Sequence, residues 1–227
     1  MKILRFAGYI RRAVTVYEAF SFKIARNAAL ALLTVMFLAM YTTSGQESAI
    51  MDELAHIPAG YSYVKYADMR INPEHPPLLK DISGFPLLFL GLHFPESAKP
   101  WAQDLNGQWE LGGLFLYHSG NDADRILFWA RLGPMLLTVL FGWLLYRFGV
   151  EFFGKRVALM ALALFAFSPA VLAHGKYVTT DVAAAFGFFT AIVFFLRYLK
   201  EPSRKNLIAA GLVFGVAQSL KFSLILL

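Results

Sequence analysis

ILFWARLGPMLLTVLFGWLLYR, Ile126 to Arg147, is read first because one property of it settles the fold class. Only Arg131 interrupts its apolar run before the closing arginine. Crossing a hydrocarbon core of about 30 Å takes roughly 20 mainly apolar residues as a helix. A helix on a soluble domain would present polar residues on one face at every third or fourth position, and this stretch does not. It predicts a membrane-spanning helix.

The same reading extends outward in both directions. Upstream, Ile24 to Thr43 (IARNAALALLTVMFLAMYTT) is a second run of this kind. Downstream come Val157 to Ala173, Val182 to Leu199, and a run from about Leu207 that is still apolar at Leu227. Five spans are predicted, in an all-α polytopic membrane protein. Composition agrees, because 58% of the 227 residues are hydrophobic and 16% charged, where soluble domains sit nearer half and a quarter. The basic lead before the first span is long and no A-x-A site follows, which favours a retained anchor over a cleaved signal peptide. The last run has no polar exit, so the chain reads as the N-terminal part of something longer. There is no cysteine, which excludes disulfides, thiolate catalysis and cysteine-type zinc sites.

The net charge of +6 raises nucleic acid as a partner, but its distribution argues against that and for topology. Lys2, Arg5, Arg11, Arg12, Lys23 and Arg26 precede the first span. Arg147, Lys155 and Arg156 lie between the second and third, and Arg197, Lys200, Arg204 and Lys205 between the fourth and fifth. By the positive-inside rule these loops are cytoplasmic. Residues 1–23 are then a cytoplasmic segment, and 24–227 a transmembrane domain with a long outer loop at about 44–125. Most of the carboxylates fall outside, in that loop and in the turn from His174 to Asp181. Within the loop, Ser48 to Asp68 reads as an amphipathic helix interrupted near Pro58 and Gly60. Leu78 to Phe94, broken by Gly84 and Pro86, reads as an interfacial helix on the outer leaflet. Pro95 to Asn121 reads as loop.

Chemistry concentrates at three places. Asp52 and Glu53 follow the first span, and a carboxylate at a membrane surface suits a general base; an acidic pair in a first helical turn is also ordinary dipole compensation. Glu74 and His75 offer either an oxygen–nitrogen metal pair or a second acid–base group, and Pro76 and Pro77 hold the following backbone extended. Lys80 is placed to meet a phosphate. Asp181 sits at the outer mouth of the fourth span, as an N-cap or as a functional carboxylate. Arg131 pairs with a carboxylate or a lipid phosphate, or snorkels to the interface. His56 lies one turn after Asp52. Lys176 and Tyr177 read as interface anchors, and His118 and His174 as surface histidines. There is no P-loop, dinucleotide fingerprint or HExxH.

These residues, in this order, resemble the N-terminal half of the GT-C membrane glycosyltransferases. The nearest group is the bacterial one related to dolichyl-phosphate-mannose protein mannosyltransferases and lipid A aminoarabinose transferases. The resemblance is carried by Asp52-Glu53, by Glu74-His75-Pro76-Pro77-Leu78, and by Ala130-Arg131-Leu132 through Phe153-Gly154 and Ser168-Pro169 to Thr180-Asp181. It implies a GT-C-type bundle in the plasma (inner) membrane that moves a sugar from a polyprenyl-phosphate-linked donor to an acceptor hydroxyl. The reaction would be inverting and on the extracytoplasmic face, with a protein, lipid or glycan acceptor. It implies Asp52 as base with Glu53 in support, Asp181 as a second active-site carboxylate, and Glu74 as a metal or acceptor contact. Arg131 or Lys80 would hold the donor phosphate, and a divalent metal would lie at Glu74 and His75. His75 stands where the family often has lysine. The competing readings are a non-catalytic membrane scaffold or inactive fragment, and a small-molecule transporter, whose intramembrane charges would line a pathway.

Overall fold

The structure, a computed structural model, describes residues 22–226. Nearly all of the predicted cytoplasmic segment, including Lys2, Arg5, Arg11 and Arg12, lies outside them. The described residues form ten α-helices and no strand. In chain order these are α1 (Phe22–Ser44), α2 (Met51–Tyr66), α3 (Leu78–Gly84), α4 (Lys99–Ala102), α5 (Gln108–Gly113), α6 (Ala123–Phe153), α7 (Lys155–Ala166), α8 (Pro169–His174), α9 (Thr180–Lys200) and α10 (Arg204–Gln218).

Three of them, α1, α6 and α9, are long and apolar enough to cross a membrane, and they coincide with the first, second and fourth predicted spans. The protein is an all-α membrane protein. Two contacts set the direction of these helices. Arg131, near the start of α6, binds the backbone carbonyl of Ser44 at the end of α1. Glu151, near the end of α6, pairs with Arg197 near the end of α9. So α6 and α9 run parallel, α1 runs against both, and the chain must return between α6 and α9.

It returns through α7 and α8, which corrects the third predicted span. That span is two helices and not one. Pro169 forces Ser168 out of the helical region, to φ −66° and ψ 121°, because a proline ring clashes with a helical residue before it. With 12 and 6 residues at 1.5 Å each, the pair covers about 27 Å, close to the hydrocarbon thickness. The turn into α7 is made by Gly154 at φ +84°, open to a residue without Cβ. The fifth predicted span is also interrupted: α10 stops at Gln218, and a separate 3₁₀ turn follows at Phe222–Leu226.

The long loop is a helical layer. Helix α2 runs unbroken through Pro58 and Gly60, contrary to the expected interruption, and Ala55 to Tyr63 are buried on every side. Its neighbours explain this. Pro58 deprives the Leu54 carbonyl of its helical donor, and Gly112 of α5 packs against that carbonyl so closely that a Cβ would collide with it. At Gly60 the backbone of α3 comes equally close, at the Lys80 carbonyl. The predicted interfacial helix proves to be α3 followed by a 3₁₀ turn at Phe85–Phe89. Phe85 and Phe89 remain exposed, ring against ring. The expected loop at Pro95–Asn121 contains α4, α5 and a π-helical turn at Leu114–His118. The layer's core, with Ile57, Tyr61, Leu87 and Phe115, continues into Ile126, Leu127 and Ala130 at the head of α6. The loop is thus fixed on the bundle at the α6 N-terminal end.

Candidate active site

Helix α2 starts at Met51, and its first turn carries Asp52 and Glu53 on different faces. Glu53 sits at the third helical position, where its carboxylate reaches back to accept from the Ile50 N–H at 3.1 Å, half of a capping box. That geometry drives it inward. Glu53 and Arg131 are each 0% exposed and form a fork-to-fork pair: Nε donates to Oε1 at 2.9 Å and Nη2 to Oε2 at 2.7 Å. The remaining three guanidinium donors go to the carbonyls of Ser44 (2.7 Å), Glu47 (3.0 Å) and Ser48 (2.9 Å). A guanidinium has five N–H donors, so every one is taken. Glu53 also accepts the Val178 N–H at 3.2 Å. This clasp therefore ties together the end of α1, the start of α2, the head of α6 and the segment before α9.

A second clasp lies beside it. Lys176, 4% exposed, donates to Thr43 Oγ1 at 3.0 Å and Glu47 Oε1 at 2.8 Å, and Tyr177 Oη donates to Glu47 Oε2 at 2.7 Å. Burial would raise the Glu47 carboxyl, but the Lys176 and Tyr177 hydrogen bonds outweigh it and hold it below its usual range. Burial and the Glu47 carboxylate push the Tyr177 phenol up to about 12.

The segment Asn72-Pro73-Glu74-His75-Pro76-Pro77 is built over Lys80. Asn72 adopts φ +55° and turns the chain there. Its N–H donates to Asn106 Oδ1 at 3.0 Å, and its side-chain amide donates to Gln108. Lys80, 1% exposed, holds the turn from beneath. Its Nζ donates to Tyr63 Oη (2.7 Å), to the Asn72 carbonyl (2.8 Å) and side-chain oxygen (3.0 Å), and to the His75 carbonyl (2.8 Å). Burial lowers the ammonium to about 8, against the pull of Glu74 and Asp81. Glu74 points outward but is occupied: Gln108 Nε2 donates to it at 2.6 Å and Asn106 Nδ2 at 3.4 Å. Burial opposes its charge, yet those two amides and the neighbouring His75 hold it below its usual range.

Pro76 and Pro77 have no backbone donor, so the first N–H after His75 is that of Leu78. It donates to the Ser219 carbonyl at 3.1 Å, where the chain breaks after α10. This hydrogen bond docks the 72–78 segment on the 219–221 turn. Around it the titratable groups gather. His56 is buried, with Nδ1 donating to the Val178 carbonyl at 2.7 Å, and its ring meets His75 edge to face at 5.2 Å. His75 lies within electrostatic reach of Asp52, Glu74, Lys80 and Lys221. Lys221 Nζ donates to Asp181 Oδ1 at 3.2 Å, and His174 Nδ1 lies 3.8 Å from Asp181 Oδ2. Burial lowers both His56 and His75 below their ordinary value; Lys80 acts in the same sense and Asp52 opposes it.

The predicted residues thus separate into two groups. Asp52, His75 and Asp181 share the α6 N-terminal end and border one cluster, in which Asp52 and Asp181 are both exposed. Glu53, Arg131 and Lys80 are interior, with their polar atoms engaged by the protein. Asp181 is in the first turn of α9, whose N-cap residue is Thr179, so it is not the capping residue. Sequence reasoning missed Lys221, Glu47, Asn72 and Gln108, and it set His174 aside as a surface histidine. Lys221 stood inside what read as an unbroken apolar run, and the other three are single polar residues without a motif. A metal at Glu74 and His75 fits poorly. Both Glu74 oxygens already accept amide donors, and among the described residues no three His, Asp or Glu side chains are grouped to hold an ion.

A family model described as dolichyl-phosphate-mannose-protein mannosyltransferase matches residues 124–227, somewhat under half of the chain. The matched part begins at the head of α6 and contains Arg131, Asp181 and Lys221; Asp52, Glu74, His75 and Lys80 precede it. Comparison with curated proteins gives no match, and comparison with solved structures gives none. Over residues 124–227 the chain is similar to the dolichyl-phosphate-mannose-protein mannosyltransferase family, a similarity that supports glycosyltransferase activity in general.

Proposed function

We propose that this protein transfers a sugar from a polyprenyl-phosphate-linked donor to an acceptor hydroxyl, with inversion, at the end of the bundle where α6 begins. One observation carries the reading. Asp52 and Asp181 are far apart in sequence, yet Asp52 acts electrostatically on His75, and so does Lys221, which donates to Asp181. A prenyl carrier keeps its tail among the helices and its phosphate at the interface. A charged, exposed cluster at a helix-bundle end is where such a phosphate meets protein.

In this reading Asp52 is the base. As the acceptor oxygen attacks the anomeric carbon, its proton passes to the Asp52 carboxylate. The bond from that carbon to the phosphate oxygen breaks, its electron pair goes to the phosphate, and polyprenyl phosphate leaves. Glu53, locked to Arg131, fixes the first turn of α2 and hence the direction of Asp52, and Lys80 fixes the segment that carries His75. These three are positioning residues. No metal enters the step. The face is the extracytoplasmic one of the inner membrane, by the distribution of basic residues, and protein, lipid and glycan hydroxyls all remain suitable acceptors. A transporter reading is less well supported, because the buried pair Glu53–Arg131 leaves no donor for a moving ion.

The test is transfer from a short-chain polyprenyl-phosphate sugar to a model acceptor, with the anomeric configuration of the product read by NMR. Removing a general base lowers turnover by about 10²–10⁴-fold, so Asp52→Asn should fall in that range with its thermal stability unchanged. Full turnover by Asp52→Asn removes the base assignment, and a retained anomeric configuration removes the single displacement.

A further inference from the structure

We propose that Lys221, oriented by Asp181, is the cation that meets the phosphate of the lipid carrier; this rests on the transferase reading above and names the residue that binds its leaving group. Departure of the phosphate turns a phosphodiester with one negative charge into a monoester carrying up to two. A cation set at that oxygen therefore binds the transition state and the product more strongly than the substrate.

Of the two lysines that act electrostatically on His75, Lys80 and Lys221, only Lys221 is open to water. Arg131 has all five donors engaged and is 0% exposed. Lys80 has four acceptors around Nζ and is 1% exposed. Lys176 is 4% exposed and held by Thr43 and Glu47. Arg70 is paired with Asp68 and donates to the Trp101 carbonyl. Lys221 differs in kind. Its side chain is 30% exposed, and its carboxylate partner Asp181 is 56% exposed. An ion pair that open to water contributes little and yields readily to a dianion. The backbone also presents it deliberately. Helix α10 ends at Gln218, Leu220 turns inward to pack on Leu79, Phe141 and Phe186, and the Ser219 carbonyl is held by Leu78. Lys221 is left within electrostatic reach of His75. The apolar residues flanking it, Phe222 and Ile225, are exposed at 56% and 72%, a surface that an isoprenoid tail can follow to the headgroup.

The experiment measures binding of a short-chain polyprenyl phosphate, with the matching polyprenol as the uncharged control, to the protein in lipid nanodiscs by native mass spectrometry. Transfer kinetics are run alongside. Hydrogen bonds to charged groups are worth about ten- to a hundredfold in affinity. Lys221→Gln should weaken polyprenyl phosphate by that factor, leave polyprenol within about twofold and lower kcat. Lys221→Arg should restore phosphate binding, and Asp52→Asn should lower turnover by about 10²–10⁴-fold while binding phosphate normally. Equal polyprenyl phosphate binding by wild type and Lys221→Gln overturns the assignment while the transferase reading stands. A wild-type protein that binds neither compound and transfers no sugar overturns both. Equal loss of polyprenol and polyprenyl phosphate in Lys221→Gln means a structural role, and likewise overturns the assignment.

Discussion

Arg131→Met should be the most destabilising single change at the α6 head, and its size can be worked from the contacts. The substitution keeps the aliphatic bulk but removes all five donors. It strands the Glu53 carboxylate, which is 0% exposed and retains only the Ile50 and Val178 N–H groups. Removing one partner of a buried ion pair costs about 3–5 kcal/mol, chiefly the uncompensated charge. The carbonyls of Glu47 and Ser48 are near water and recover a partner there, while that of buried Ser44 adds about 1 kcal/mol. The total is near the upper end of the range. In the double variant Glu53→Leu with Arg131→Met the stranded charge disappears, so the two losses should be non-additive by at least about 2 kcal/mol. Unfolding in detergent micelles, followed by the fluorescence of Trp129 and Trp143 within α6, measures both. A loss below about 1 kcal/mol in Arg131→Met, or strict additivity in the double variant, would refute the clasp as the fastening of the outer layer.

Two further outcomes follow from the same geometry. Lys80 titrates at about 8 when folded against about 10.4 unfolded. The unfolded chain therefore holds more protons between those values, and stability should rise with pH there by at most about 1.4 kcal/mol per pH unit. Below pH 8 the penalty is fully present, and a pH–stability profile parallel to that of Lys80→Met across pH 8–10 would contradict it. For orientation, the chain has no cysteine, so Ser48→Cys and Ser203→Cys give unambiguous single probes. An impermeant thiol reagent on intact cells should label the first and spare the second, and the reverse pattern would invert the topology.

Hydrophobic length was enough to read α1, α6 and α9, because a helix buried in lipid shows as an uninterrupted apolar run. It misread α7 and α8, where one Ser-Pro step divides a run of sufficient hydropathy, and α10, where the break at Gln218 to Lys221 has no proline or charge cluster to announce it. The interruption expected at Pro58 failed for the opposite reason. A local rule favoured a break, and close packing by Gly60 and Gly112 overrode it. At the candidate site, Asp181 was legible at the mouth of the fourth span, Asp52 as a carboxylate following the first, and His75 as a metal or acid–base group. The division between exposed and interior groups was not, because it depends on which partners the fold delivers: Glu53 and Arg131 meet across 78 positions. Lys221 was hidden because a single lysine in an apolar run carries no signal until the backbone turns it toward a carboxylate.

The Glu53–Arg131 pair also has a consequence for biogenesis. Its two halves reach the membrane at different moments of synthesis, the carboxylate with the segment after α1 and the guanidinium only with α6. Until both arrive neither charge has its partner, and burying either one alone carries the cost of an unpaired ion. Closure of the pair compensates both charges together. Burial of the head of the second long helix thus depends on a carboxylate that the chain delivers 78 positions earlier.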